Sequence, residues 1–266
     1  MVSTRSYFGG AHIAMATCEQ RSDAADEIND PGAAPYGNFI NYYTFNPPEN
    51  RLGLIPASLL QDLDLNSPDH RTTLILDVGC NSGELSVAFY KHLVQEPACE
   101  EESGRRKVQL LGFDLDEGLI QRAQQSNPLP DSISFIPLDV TKDADRLQDY
   151  LNQHGCSHFH LCLCLAVTMW VHLNHGDSGL LQVLSRLASI SQHLLLEAQP
   201  WKCYRSAARR LRKLGRSDFD HFKTLEIRGD VAEHAREHLE RHCGMKLIQS
   251  FGSTTWDRKL LLFKRR

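Results

Sequence analysis

The sequence predicts a doubly wound α/β domain with a mostly parallel, seven-stranded sheet that ends in an antiparallel hairpin. From about residue 72, short continuous apolar segments alternate with helix-like segments, which is the pattern of a parallel sheet covered on both faces. A glycine-containing turn follows the first apolar segment, and two apolar segments joined by a short polar turn close the chain. Ligands of such folds bind at the carboxyl ends of the strands.

Each predicted element corresponds to an apolar or an amphipathic run. Strands rich in Leu, Ile, Val and Phe are expected at 73–80, 108–116, 133–140, 159–167 and 193–200. Helices are expected at 84–94, 117–125, 143–153, 179–190, 202–214 and 229–242. The hairpin is expected at 246–254 and 259–265, on either side of "TTWDR".

The domain organisation follows from composition. Residues 1–35 are rich in Ala, Gly, Ser and acids without periodicity, so we expect a disordered tail. Residues 36–266 are expected to form a single domain, with 95–107 as a surface insertion loop. The length of 266 residues suits one large domain or two small ones.

The bulk composition is that of a globular protein without a membrane segment. Hydrophobic residues make up 41% and charged residues 23%, and no apolar run approaches the roughly 20 residues that cross a bilayer. The start of the chain lacks the apolar segment of a signal peptide. The eight cysteines include no C-x-x-C pair, so we expect a reduced, cytoplasmic protein.

The strongest local signal is the turn after the first strand, "LILDVGCNSGE". Asp77 ends the strand, and Gly79 and Gly83 stand four residues apart before a helix begins. Glycine permits a tight turn and a close approach of the backbone to a ligand. A dinucleotide fingerprint would need glycine in place of Asn81 and Glu84, and the Gly-Lys-Ser/Thr of a P-loop is absent. The turn is therefore not expected to bind phosphates.

Two acids at the ends of the next strands extend this signal. Asp114 follows the second strand, where a carboxylate can accept both ribose hydroxyls, and Asp139 follows the third, where an acceptor can meet an adenine amino group. The alternative is that the glycines serve only a turn and the acids cap helices. Agreement among three strand ends favours a nucleoside cofactor. The D-x-G-x-x-x-G pattern resembles the first motif of class I methyltransferases, which implies a Rossmann-like fold and S-adenosylmethionine as cofactor.

A cationic helix is predicted after the fifth strand. "KCYRSAARRLRKLGR" (202–216) holds seven Lys or Arg residues and no acid. At helical spacing, one stripe is apolar and another carries Arg205, Arg209, Arg212 and Arg216. Such a face is often only solvated. Its position near the expected cofactor edge favours a polyanion such as RNA instead, with binding that weakens in salt. The candidate RNA-binding residues are Lys202, Arg205, Arg209, Arg210, Arg212 and Lys213.

"TMWVHLNHGD" (168–177) follows the fourth strand and contains His172, His175 and Asp177. A metal site needs three or four ligands, and no second cluster completes this one, so we expect no metal. A buried polar turn is one alternative. The favoured interpretation is an acceptor pocket in which both histidines donate hydrogen bonds, with Asp177 orienting an imidazole or capping the next helix.

The nature of the acceptor follows from what this stretch lacks. Many amino-group methyltransferases carry an Asn/Asp-Pro-Pro-aromatic run at this place, and the chain has no Pro-Pro here. A phosphate monoester has a second pKa of about 6 and is already mostly anionic at neutral pH. It needs no strong general base, only groups that hold it in line with the methyl group. Histidines, a tryptophan and a cationic helix suit such an acceptor.

Long motifs carry a closer resemblance that extends from Pro31 to Phe263. They include "PGAAPYGNFINYYTFNPPENRL", "LDVGCNSGELSVAFYKHL", "TMWVHLNHGDSGL" and "STTWDRKLLLF". These motifs resemble the bicoid-interacting family of RNA 5′-phosphate methyltransferases. The resemblance implies methylation of an RNA 5′-monophosphate, with histidine tRNA and precursor microRNA as substrates. We also expect a monomer that binds no membrane.

The resemblance further implies roles for individual residues. Arg51 would hold the cofactor's carboxylate, and Asn81 would contact the cofactor. Asp114 would bind the ribose, and Asp139 with Val140 would bind the adenine. Leu165 would contribute to the site at the edge of the fourth strand. His160 stands where the family has an acid at the start of this strand, which we expect to affect packing only.

Two other functions remain open at the level of sequence. The chain could methylate a protein or a small molecule, with the cationic helix as a bystander. It could also be an RNA-binding module that has kept the fold and performs no chemistry. The intact glycine turn and its acids argue against the second.

Overall fold

The computed structural model of the chain describes residues 34–65, 72–94 and 107–266. Three short helices precede the sheet: α1 (Tyr42–Phe45), α2 (Glu49–Leu52) and α3 (Leu59–Asp62). The sheet strands are β1 (Thr72–Val78), β2 (Lys107–Asp114), β3 (Ile133–Pro137), β4 (Phe159–Leu165), β5 (Ser191–Glu197), β6 (Met245–Ser253) and β7 (Lys259–Arg265). The longer helices are α4 (Glu84–Leu93), α5 (Glu117–Ser126), α6 (Ala144–Gln153), α7 (Thr168–Ser189), α8 (Trp201–Lys213) and α9 (Val231–His242).

The strands form one seven-stranded sheet in the order β3-β2-β1-β4-β5-β7-β6. The first five strands pair in parallel, and β7 runs antiparallel to both β5 and β6. The predicted fold class is therefore confirmed, including the terminal hairpin. Because β1 lies between β2 and β4 and pairs with both in parallel, the carboxyl ends of these three strands meet at one edge, and the site is built there.

Helices cover both faces of the sheet. Successive side chains of β1 point to opposite faces, and each set packs against a different group of helices. Leu74 and Leu76 join a core cluster with residues of α7, α8 and α9, whereas Ile75 joins a second cluster with residues of α4 and α5. Every residue of β4 is buried, as expected for a central parallel strand. This burial holds the strand ends of the site in place.

The segment after β4 differs from the prediction. Helix α7 begins at Thr168 and not at residue 179, so "TMWVHLNHGD" is helical rather than a turn. Gly176 interrupts the helix with a φ of 70° and produces a kink. Turn-like residues suggested a loop here, but Met169 and Leu173 pack into the core at helical spacing, and this packing outweighs the low helix propensity.

The predicted tail and insertion loop are described only at their edges. Ala34 is fully buried, and the carbonyl of Pro35 accepts a hydrogen bond from Asn174, so these two residues belong to the folded unit. Residues 1–33 and 95–106 lie outside the described residues. In the part of the chain that is described, no helix is long and apolar enough to span a bilayer.

Candidate cofactor and acceptor site

A cavity lies at the carboxyl edge of the parallel strands, as the fold predicts. Most of the sequence-predicted cofactor residues line it together, although they come from α2 and from four different strand ends. They are Arg51, Asp77, Gly79, Asn81, Asp114, Asp139, Val140 and Leu165. Tyr36, Tyr42 and Trp170 are among the other residues that line it. The structure thus places distant residues in one site.

The turn after β1 depends on two glycines for different reasons. Gly79 lines the cavity with a φ of 70°, and a Cβ there would lie 2.6 Å from a methyl group of Val167. Gly83 has a φ of 80° at the start of α4, and a Cβ there would lie 2.7 Å from the ring of Phe135. Gly83, which was also expected to bind the cofactor, does not line the cavity, and its positive φ and close approach to Phe135 show that it shapes the turn.

Asn81 connects this turn to the second strand. Its backbone amide donates a 2.9 Å hydrogen bond to Oδ2 of Asp114, and its side chain donates to the carbonyl of Phe39. Asp114 also accepts from the amide of Asp116. Burial raises the pKa of Asp114, although these backbone hydrogen bonds oppose the effect. The carboxylate is held at the cavity wall in one orientation.

Asp139, at the end of the third strand, is a carboxylate in a different environment from Asp114. Oδ1 of Asp139 accepts from both the amide and the hydroxyl of Thr141, and Lys142 lies 3.1 Å from Oδ2. Burial alone would raise the pKa of Asp139, but these hydrogen bonds outweigh it and hold the pKa below its usual range. Val140 follows in the cavity wall, and its carbonyl accepts from Arg186. Asp139 is therefore an ionised acceptor at neutral pH.

Asp77 lies deepest in the site. It is 2% exposed, and its Oδ2 accepts a 2.6 Å hydrogen bond from the hydroxyl of Ser86. Burial raises the pKa of Asp77 to about 7, although Ser86 and the charge of Arg51 both oppose this. A cationic group placed in the cavity would favour the ionised form.

Arg51 is fully buried beside the cavity and is held by two groups. Its Nε donates to Glu197 at 2.5 Å, and its Nη2 donates to the hydroxyl of Tyr42 at 2.9 Å. Its Nη1 is buried and has no hydrogen-bond partner among the described residues. A buried donor of this kind requires an acceptor. A ligand carboxylate in the cavity would supply one, so the site fits a nucleoside that carries an amino acid.

The two histidines of α7 have different positions. His175 is exposed and lines the cavity. His172 is fully buried and does not line it; its Nδ1 is 3.0 Å from the hydroxyl of Tyr204, and its Nε2 is 2.8 Å from Asp177. We therefore withdraw the expectation that His172 donates to a phosphate. Burial lowers its pKa, although the hydrogen bond with Asp177 opposes this, and the ring connects α7 to α8.

The segment before α1 joins the two sides of the cavity. Asn38 donates to Asp116 beside α5, and the carbonyl of Pro35 accepts from Asn174 on α7. Between these contacts, a Cβ on Gly37 would lie 2.2 Å from Nε1 of Trp170. The segment and the tryptophan thus form one wall of the site.

The cationic helix has the predicted faces. Tyr204, Ala207, Ala208 and Leu211 are buried. The predicted RNA-binding residues Lys202, Arg205, Arg209, Arg210, Arg212 and Lys213 are all exposed. Arg216 lies beyond the end of the helix, so it does not extend the stripe.

Arg210 brings this helix close to the cavity. Its guanidinium lies 4.8 Å from the ring centroid of Phe39, whose carbonyl accepts from Asn81 and whose ring contacts Trp170 edge-on. The cationic surface and the cavity wall are therefore continuous.

A metal centre is not indicated at this site. Within the described ranges, no group of three or more His, Cys, Asp or Glu side chains is arranged to hold a metal ion. His160, the departure noted at the start of the fourth strand, is buried, and its Nδ1 accepts from the amide of Leu74. It lies away from the cavity and contributes to packing.

Comparison with known proteins agrees with this geometry. The family model described as "Bicoid-interacting protein 3 (Bin3)" matches residues 159–265. A Danio rerio protein named "Pre-miRNA 5'-monophosphate methyltransferase" is 67% identical over 91% of this chain and 96% of its own length. The chain belongs to the bicoid-interacting protein 3 family. A Homo sapiens protein named "RNA 5'-monophosphate methyltransferase" is 49% identical over 92% of this chain and 86% of its own. The chain is accordingly a methyltransferase.

A solved structure supports the fold of this family member. Magnesium protoporphyrin IX methyltransferase from Synechocystis, described with bound SAM, matches with a TM-score of 0.51 and 16% identity. The match covers 86% of this chain and 85% of the other. At this identity the likeness concerns the fold alone, which is that of class I methyltransferases.

Sequence reasoning missed two residues that support this site, Glu197 and Arg258. Glu197 accepts two hydrogen bonds from Arg51, and Arg258 donates to the same Glu197. Trp170, the tryptophan expected near the acceptor, lines the cavity. Glu197 carried a detectable signal, because it is an acid at the end of an apolar strand, as Asp77 is. Arg258 carried none, since it was assigned only to a hairpin turn.

Proposed function

We propose that this protein transfers the methyl group of S-adenosylmethionine to the 5′-monophosphate of RNA. The observation that carries the proposal is that the cavity is continuous with an exposed cationic helix, because Arg210 lies over Phe39 and Phe39 contacts Trp170 of the cavity wall. The names of the relatives from Danio rerio and Homo sapiens support the same acceptor.

S-adenosylmethionine, when bound, supplies a methyl group on a sulfonium. Arg51 Nη1 would bind its carboxylate, and Asp77 would pair with its ammonium group. Asp114 would accept the ribose hydroxyls, and Asp139 with Val140 would meet the adenine. Asn81, Gly79 and Leu165 would line the remaining surface. Acids and an arginine at these places match the two charges of an amino acid and the donors of a nucleoside.

The acceptor end of the site needs no general base. At neutral pH a phosphate monoester is mostly dianionic, because its second pKa is about 6. One of its oxygens would provide the electron pair for the new C–O bond while the C–S bond of the methyl group breaks, and the electron pair of that bond would stay on sulfur in the departing S-adenosylhomocysteine. No proton has to be removed. His175, which lines the cavity, would donate a hydrogen bond that holds the phosphate for direct in-line transfer.

The exposed cations of α8 would bind the phosphates of the RNA behind its 5′ end. Phosphate contacts of this kind position a nucleic acid without reading its sequence, and they weaken as salt rises. Histidine tRNA and precursor microRNA are the substrates that we propose, bound by a monomer in the cytoplasm.

One assay tests the function. The protein receives a donor with a radiolabelled methyl group and one RNA sequence that bears a 5′-hydroxyl, a monophosphate or a triphosphate. We expect labelling of the monophosphate RNA. Equal labelling of the 5′-hydroxyl RNA would contradict a phosphate acceptor. Cofactor binding without labelling of any RNA would favour a protein or small-molecule acceptor.

A further inference from the structure

Glu197 is a fully buried acid at the end of β5 that holds one edge of Arg51. Its Oε2 accepts from Arg51 Nε at 2.5 Å, and its Oε1 accepts from Nη2 at 3.3 Å. Both side chains are 0% exposed. Because the carboxylate occupies the Nε–Nη2 edge, the Nη1 end of the guanidinium remains for a ligand.

The terminal hairpin contributes a second arginine to this cluster. Arg258 lies between β6 and β7, and its Nη1 donates to the same Oε1 of Glu197 at 3.1 Å. Its side chain is only 13% exposed. The indole of Trp256 packs against both guanidinium groups, with centroid distances of 5.3 Å to Arg51 and 5.7 Å to Arg258. The hairpin turn therefore contacts Glu197, and Glu197 in turn holds Arg51 beside the cavity.

The charges of this cluster do not balance. The buried guanidinium of Arg51 and the largely buried one of Arg258 share the carboxylate of Glu197. The next acid that interacts with Arg51 is Asp77, whose pKa burial raises to about 7, so it balances the excess positive charge only in part near neutral pH. A buried charge without a counter-ion is costly, and a cluster that served stability alone would be expected to be neutral. Two donors of the cluster, Arg51 Nη1 and Arg258 Nε, are buried and have no hydrogen-bond partner among the described residues, and of the two residues only Arg51 lines the cavity.

Tyr42 completes the arrangement. Its hydroxyl oxygen accepts from Arg51 Nη2, so its own proton remains available to donate into the cavity that it lines. An incoming carboxylate would thus meet two donors, and it would also supply the missing negative charge.

We propose that Glu197 and Arg258 are positioning residues that aim Arg51 at the carboxylate of the cofactor. This inference rests on the proposed function, because it takes the cofactor to carry an amino acid. Glu197 fixes the guanidinium plane, and Arg258 supports Glu197 from the hairpin. Neither residue lines the cavity, so their substitution should act on affinity only through Arg51.

Two ligands separate positioning from packing. S-adenosylhomocysteine carries the amino-acid group, whereas 5′-methylthioadenosine keeps the nucleoside and lacks that group. Binding of both to the Arg258→Met variant is measured by calorimetry. We expect affinity for S-adenosylhomocysteine to fall about ten-fold, or about 1.4 kcal/mol, and affinity for 5′-methylthioadenosine to stay unchanged. Glu197→Gln should show the same selective loss.

The controls keep the test decisive. Lys259→Met, an exposed neighbour of Arg258 in the chain, should leave both affinities unchanged. Arg258→Lys serves if the methionine variant does not fold, and its loss should again be confined to S-adenosylhomocysteine. Equal losses for both ligands, or no loss for either, would overturn the positioning role. Equal affinities of the unaltered protein for the two ligands would instead contradict the cofactor assignment itself.

Discussion

The backbone amide of Asn81 donates a 2.9 Å hydrogen bond to Oδ2 of Asp114, which ties the turn after β1 to the end of β2. Asp114 also lines the cavity, so its carboxylate fixes the turn at the cavity wall. Parallel pairing of β1 with β2 brings the two residues together, although they are 33 positions apart. The site therefore depends on the sheet register as much as on the side chains.

Substitution of Asp114 should abolish cofactor binding. Asp114→Ala removes the acceptor for the ribose and the partner of the Asn81 amide, so we expect calorimetric affinity for S-adenosylhomocysteine to fall at least about a hundred-fold. Asp131→Ala, at an exposed position before β3, is the control and should bind normally. Undiminished affinity of Asp114→Ala would mean that the ribose lies elsewhere.

Cofactor affinity should depend on pH through Asp77, whose pKa burial raises to about 7. Below that pH the carboxyl of the free protein is protonated, and binding of an ammonium group must release the proton. Affinity for S-adenosylhomocysteine should therefore rise between about pH 6 and pH 8. Calorimetry at several pH values measures this, and Asp77→Asn should bind weakly with a flatter profile. An equally steep profile in the variant would assign the dependence to another group.

The same carboxyl should affect stability with the opposite sign. Because the folded-state pKa of Asp77 is raised, its ionisation destabilises the ligand-free protein as pH rises from about 4 to about 7. Asp77→Asn should then raise the free energy of unfolding at pH 8 by up to about 4 kcal/mol, and by much less near pH 4. Denaturant unfolding at the two pH values checks this; an equal effect at both would contradict it.

His175 and His172 should give different defects. His175→Ala removes a donor from the cavity, so we expect kcat to fall by about ten-fold or more while S-adenosylhomocysteine still binds. His242→Ala, an exposed histidine on α9, serves as the control for kinetics. A normal kcat in His175→Ala would contradict the role of His175 as a hydrogen-bond donor to the phosphate.

His172→Ala should act on stability. It breaks the contacts with Tyr204 and Asp177 and leaves a cavity in the core, which should cost about 2–4 kcal/mol in the free energy of unfolding. Denaturant unfolding measures the loss. Full stability of the variant together with loss of methylation would indicate instead that His172 acts in the acceptor pocket.

The cationic helix should control the salt dependence of RNA binding. Converting Arg209, Arg210 and Arg212 to Glu should raise the RNA KM and flatten its dependence on salt, because fewer counter-ions are released on binding. Charge reversal of Arg241, Lys246 and Lys264, which are exposed on α9 and the hairpin, is the matched control. If both triple variants behaved alike, only overall charge would matter and α8 would be a solvated surface.

The sequence was informative where local pattern and sheet geometry agree. Asp77, Asp114 and Asp139 could be placed together because the carboxyl ends of parallel strands share one edge. The start of α7 could not be predicted, since its polar residues resemble a turn and only core packing of Met169 and Leu173 shows otherwise.

Contacts made across the sheet were beyond sequence reasoning. Glu197 and Arg258 are 61 positions apart, and their contact depends on the antiparallel register of β5 and β7. The burial of His172 likewise depends on how α8 packs against α7. Spacing along the chain indicates neither arrangement.

The most direct test of the account is the fate of the 5′-phosphate itself. RNA carrying radioactive phosphorus in its 5′-monophosphate is incubated with the protein and S-adenosylmethionine and then treated with alkaline phosphatase, which removes phosphate monoesters. Methylation of a phosphate oxygen creates a diester, so we predict that the label becomes resistant to release in proportion to methyl incorporation. Methyl incorporation with the label still fully released would place the methyl group on a base or a ribose and contradict the account.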